Sequence, residues 1–121
     1  MNITKGMMSP FSNDPSSIVA IAFRELYPDA RYYAQLVPDL KDDDGNTAYG
    51  LTVFSEDGSD PLVCISAEAP ISVEPELLAH ELAHVAVGAD ADHGPEWEAA
   101  FEAIFEKYQE IIYNIETEEP E

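Results

Sequence analysis

The stretch HELAHVAVGADADHGPEW, residues 80–97, holds all three histidines of the chain and its only tryptophan. His80 and His84 stand one helical turn apart, so on a helix their imidazoles project from one face and can grip a single ion. Imidazole nitrogen is a good ligand for Zn²⁺, and a His-Glu-x-x-His helix sets a carboxylate beside the ion without making it a ligand. Glu81 is that carboxylate. A zinc that does chemistry takes three protein ligands and leaves a fourth position to water, and His93 is the natural third. Gly88 can end the helix, and residues 89–92 reach up to ~14 Å when extended, against ~6 Å of helix from His84 to Gly88. The chain can therefore double back. Asp90, Asp92 and Glu96 are the alternatives for the third position. One Zn²⁺ per chain is expected.

Bound zinc lowers the pKa of its water towards ~7 and polarises a carbonyl. Glu81 is placed to take a proton from that water as it attacks, then to pass it to a departing amine. An amide is the natural substrate, laid along an exposed strand through backbone hydrogen bonds. Tyr32, Tyr33, Tyr49, Tyr108 and Tyr113 could each donate to an oxyanion, and packing competes for all five.

These residues need elements to position them. A helix is predicted over about 73–87, with Ser72 as N-cap, Glu76 one place beyond the capping-box position, and Gly88 at the end. Pro95 opens a helix to about Asn114 with the stripe Trp97, Phe101, Ile104, Phe105, Tyr108, Ile111, Ile112 and Ile115. Glu98, Glu102 and Glu106 take its other face, and Trp97 and Phe101 are expected behind the histidines. Upstream, Asp14-Pro15 is a helix start signal, followed by Ile18, Ile21, Ala22 and Leu26 at helical spacing.

Between the first and second helices lie three strand-like runs, RYYAQLV (31–37), TAYGLTVF (47–54) and PLVCISA (61–67). Their connections, PDLKDDDGN and SEDGSD, are rich in turn formers and predict an antiparallel meander. The first turn is not a calcium loop: with Gly45 sixth, Leu40 and Leu51 would fall on the first and last ligand positions. The expected class is α+β: a helix, a three-stranded antiparallel sheet, the HExxH helix and a C-terminal helix. One domain is expected over 1–121, with 1–13 a loose lead-in and 116–121 an acidic tail.

Composition narrows the partners. Five Lys+Arg against 25 Asp+Glu give a formal net charge of -20, and no basic residue lies between Lys41 and Lys107. Phosphate backbones are bound largely through Lys and Arg, so direct nucleic-acid binding and anionic membranes are disfavoured. Cys64, the single cysteine, excludes an internal disulfide and reads as a small buried hydrophobe. No run approaches a membrane span, and IVAIAF is too short for a signal core, so a cytoplasmic protein is expected.

HELAH followed by HGPEW resembles the SprT-like zinc metallopeptidases, in which HExxH precedes a third histidine in an H-G-P-E-aromatic motif. The similarity covers residues 77–105, and the element order is compatible with that family's minimal zincin-type core. The resemblance implies His80, His84 and His93 as ligands, Glu81 as catalytic base, and a protein or peptide substrate. It further implies that Gly94 and Pro95 shape the entry to the last helix and that Trp97 is the motif's aromatic residue. The family's best-known members act on DNA-attached proteins through basic surfaces, a feature the charge of -20 does not share. The alternative is an acidic interaction or charge-mimic protein on a zincin-like scaffold that binds a basic protein partner.

Overall fold

A computed structural model describes residues 16–89 and 93–117. The order is α1 (Ser16–Leu26), β1 (Tyr33–Val37), β2 (Gly50–Val53), β3 (Leu62–Ser66), α2 (Glu74–Val87) and α3 (Pro95–Thr117). The described residues mix three helices with one three-stranded sheet, in keeping with the α+β expectation. The starting signal at Asp14-Pro15 and the lead-in 1–13 lie outside the described residues, as do 118–121 of the expected tail.

The sheet corrects the antiparallel meander. Its order is β1-β3-β2, with β1 parallel to β3 (Tyr33↔Leu62 to Val37↔Ser66) and β2 antiparallel to β3 (Gly50↔Ile65 to Val53↔Leu62). The cause lies in LVCIS. Val63, Cys64, Ile65 and Ser66 are all buried, so this strand is apolar on both faces and takes the middle. A meander would have left it on an edge. Residues 38–49 are long enough to cross from one edge of the sheet to the other. Their tip is held by Asp42, whose Oδ1 accepts from the Asp44 and Asn46 amides at 2.9 Å each, with Gly45 at φ 83°. KDDDGN is thus a solvated turn within the crossing segment, not the hairpin between neighbouring strands.

α1 buries Ser16, Val19, Ala22 and Phe23, whereas Ile21 and Leu26 are exposed. SSIVAIAFREL is apolar nearly all round, so spacing alone left its rotation open. Two contacts set it: Ser16 Oγ donates to Glu74 Oε1 at 3.2 Å, and Phe23 packs on Tyr27 and Tyr32. The N-cap of α2 is Val73 rather than Ser72, and it makes no side-chain capping bond. Pro75 in the first turn, and Glu74 and Glu76 beside the positive helix end, take the place of a cap. Gly88, at φ 91°, closes the helix and donates its N–H to His84 O at 2.9 Å, as expected.

The core joins the three helices to one face of the sheet through Val19, Phe23, Val63, Ile65, Leu78, Leu82 and Ile104. Ala79, Ala83 and Ala100 are also buried there, which lets α2 and α3 approach closely. On α3 the deepest positions are Ala100 and Ile104. Trp97, Phe101, Phe105 and Tyr108 lie half-buried beside them in a stacked row with centroid spacings of 5.4, 5.8 and 5.4 Å. The helix runs to Thr117, past the expected Asn114 and into the segment read as tail.

Leu78 is fully buried between the sheet and the helices. Leu78→Ala is expected to lower unfolding stability by about 2–5 kcal/mol, read from urea titration. A loss below 1 kcal/mol would mean that this centre collapses around the deletion or is not the core.

Candidate metal centre

α2 presents different residues in three directions. Leu78, Ala79, Leu82 and Ala83 face the core, His80 and His84 project from the outer side, and Glu81 turns towards β2. The start of α3 brings in the third imidazole. Trp97 Nε1 donates to His80 O at 3.1 Å, which pins the first turn of α3 to the middle of α2. Its indole lies against all three histidine rings, with centroids 4.7 Å from His80, 5.6 Å from His84 and 4.8 Å from His93. Phe101 stacks behind it, as the sequence predicted.

The result is a convergence of donors. His84 Nε2 and His93 Nε2 are 3.1 Å apart, and His93 Nε2 and His80 Nε2 are 3.3 Å apart. Tetrahedral coordination at the usual Zn–N length of about 2.0–2.1 Å sets ligand nitrogens about 3.3 Å from one another. Two sides of the triangle therefore fit a zinc-sized ion, and all three ligand atoms lie within 4.8 Å of one another. Among the described residues this is the one group of three metal-competent side chains. Glu96 is not part of it, and Asp90 and Asp92 lie outside the described residues. Burial, then the charges of His84 and His93, push the His80 imidazole down to about 4. A neutral imidazole is the form that binds metal.

Glu81 is 5% exposed, a carboxylate in the wall of the site. Burial raises its pKa, while a hydrogen bond from Thr52 and the charge of His93 oppose the rise. Thr52 Oγ1 lies 2.7 Å from Glu81 Oε1 and 3.1 Å from Glu81 O. One hydroxyl can donate to the carboxylate, or accept from the protonated acid while donating to the carbonyl. The hydrogen bond thus survives either state of Glu81.

A cleft of about 350 Å³ opens onto these groups, lined by Gly50, Leu51, Thr52, Phe54, His80, Glu81, His84, Ala89 and His93. None of the five tyrosines considered for an oxyanion lines it. Tyr32 is instead packed on Phe23, with burial raising its phenol, and Tyr33, Tyr49 and Tyr113 are exposed. Thr52 and Gly50 are the site residues that sequence reasoning missed. Thr52 stands 29 residues from Glu81, and nothing local in GLTVF announces the meeting. No family model, characterised protein or solved structure matches the chain.

Protein purified without added zinc is expected to carry about one zinc per chain by elemental analysis, and His93→Ala distinctly less. An equal metal content in the two would remove His93 from the ligand set. The metal-free protein carries a pH signature. His80 titrates at about 4 folded against an ordinary 6.5, so between these values the unfolded chain binds the extra proton. Its neutral form leaves stability intact above about pH 6.5, and stability is lost as pH falls towards about 4. Urea midpoints from pH 7 to pH 4 are therefore expected to fall more steeply for the parent than for His80→Gln. Parallel curves would contradict the lowered value.

Proposed function

We propose that this chain is a zinc-dependent metallopeptidase of the SprT-like kind, on a zincin-like core, that hydrolyses a peptide bond in another polypeptide. The observation carrying this reading is that three histidine Nε2 atoms and one buried carboxylate converge on a single open cleft beside a strand edge. Zinc, when bound, supplies Lewis acidity and a water acidified towards ~7. The residues do the remainder.

His80, His84 and His93 hold the ion, and Trp97 holds the turn that brings His93 to the other two. Glu81 takes a proton on its carboxylate and returns it to the leaving amine nitrogen. Its raised pKa brings it closer to the range in which a group can both accept and give up a proton near neutrality. β2, at the edge of the sheet, offers the track for substrate. Ser66 N donates to Tyr49 O at 2.8 Å, so the antiparallel alternation turns the peptide groups of Leu51 and Val53 towards β3. The N–H and C=O of Gly50 and Thr52 then face out of the sheet, where an extended peptide can pair.

Charge bears on which peptide. Asp42, Asp43 and Asp44 line a neighbouring hollow that shares Leu51, Thr52 and Phe54 with the cleft. With a net charge of -20, this favours basic polypeptides, whether as substrate or as partner. No helix among the described residues is long and apolar enough to cross a membrane.

Glu81→Gln is expected to keep about one zinc per chain and to slow cleavage of a disordered lysine-rich polypeptide by at least about 100-fold. Cleavage by this variant at the parent's rate would exclude Glu81 as the base. A parent that carries zinc, cuts nothing and binds the polypeptide tightly in a salt-sensitive way would favour the acidic interaction protein instead.

A further inference from the structure

We propose that Thr52 is the positioning residue for the Glu81 carboxylate and that Gly50 completes the seat, an inference that rests on the peptidase reading. A glutamate on α2 has three side-chain torsions and could turn its carboxylate away from the histidines. Two features of β2 restrict it. Thr52 Oγ1 sits 2.7 Å from Oε1, the distance of a hydroxyl on an ionised carboxylate, and 3.1 Å from the carbonyl oxygen of the same residue. The hydroxyl thus donates to the ionised carboxylate, with the carbonyl oxygen of the same residue within reach should the carboxyl become protonated. Threonine suits the task because branching at Cβ stiffens its first torsion on a strand.

Gly50 acts from two positions earlier on the same face of β2. A Cβ built there would lie 2.8 Å from Glu81 Oε2, 3.2 Å from Cγ and 3.3 Å from Cδ. The carboxylate occupies the space that a side chain at position 50 would fill. It is held at Oε1 by a hydroxyl and has room at Oε2 because of a missing methyl. Both constraints come from the strand whose open edge would pair with substrate, so a docked peptide stiffens the support of the base.

A purely structural hydroxyl would affect stability or metal content without slowing turnover by itself. The test uses the zinc-loaded full chain as Thr52→Val, Thr52→Ser and Gly50→Ala, with kcat, KM and zinc content measured on the lysine-rich polypeptide. Thr52→Val and Gly50→Ala are expected to lower kcat by about 10- to 100-fold, since a misplacement of about 1 Å can cost that much. KM and zinc content stay at the parent's values, and Thr52→Ser recovers most of the rate. Parental kcat in Thr52→Val, or a loss confined to KM, would overturn the assignment.

Crystal structures of the same variants without metal provide a readout independent of activity. The carboxylate is expected to leave its seat in Thr52→Val and Gly50→Ala and to keep it in Thr52→Ser. An unmoved Glu81 in Thr52→Val would refute the positioning role whatever the activity. If the parent cuts nothing while the carboxylate moves as stated, the peptidase reading fails and the hold of Thr52 on Glu81 stands.

Discussion

His93 Nε2 stays 3.1 Å from His84 Nε2 and 3.3 Å from His80 Nε2 only if the start of α3 is laid on the outer side of α2, and most of the fold serves that requirement. The chain has to stop its helix at Val87, reverse, and restart at Pro95. Gly88 supplies the positive φ for the stop, and Trp97 clamps the restart by donating to His80 O. The clamp works because the helices are close. Ala79 and Ala83 on α2 and Ala100 on α3 are buried in the same core, where larger side chains would separate the axes and lift His93 away. On the same core-facing side α2 is anchored by Leu78 and Leu82, so His80 and His84 project from a rigid element, while His93 comes from the turn just before α3.

Much of this was legible because it is local. HELAH carries its geometry in a four-residue spacing, Gly88 and Pro95 mark ends by their own backbone preferences, and Trp97 sits where an antiparallel return would bring it. The strands were also visible as runs of β-branched and aromatic residues. Their order was not. It depends on LVCIS needing a neighbour on each side, a competition among three strands that turn chemistry does not register. The rotation of α1 was hidden for a similar reason, because Ile18, Val19, Ile21, Ala22 and Phe23 offer two overlapping apolar stripes. Thr52 and Gly50 were out of reach because their meaning exists only once β2 lies beside α2.

The mixed sheet also has a consequence for the site. Had β2 been the middle strand, as in a meander, both its edges would have been occupied, and no backbone next to the histidines could have received a peptide. Placing β3 in the centre leaves β2 at the edge nearest α2, with the outward groups of Gly50 and Thr52 in the cleft. The apolar character of one strand thus determines which backbone edge borders the cleft.

Two groups in this cleft are held against their own ionisation. Burial raises Glu81 and lowers His80, and in both the charged form is the one disfavoured. A wall shaped for stability alone would be better served by apolar side chains of similar size, since a buried carboxylate with a single hydroxyl partner is a poor exchange for packing. The chain instead keeps the carboxylate, leaves position 50 without a side chain to make room for it, and sets a hydroxyl on it from the neighbouring strand. Such an arrangement makes sense where the carboxylate's location matters more than its contribution to folding. A neutral His80 imidazole, two further imidazoles and a positioned carboxylate are the groups that metal-assisted proton transfer would call on.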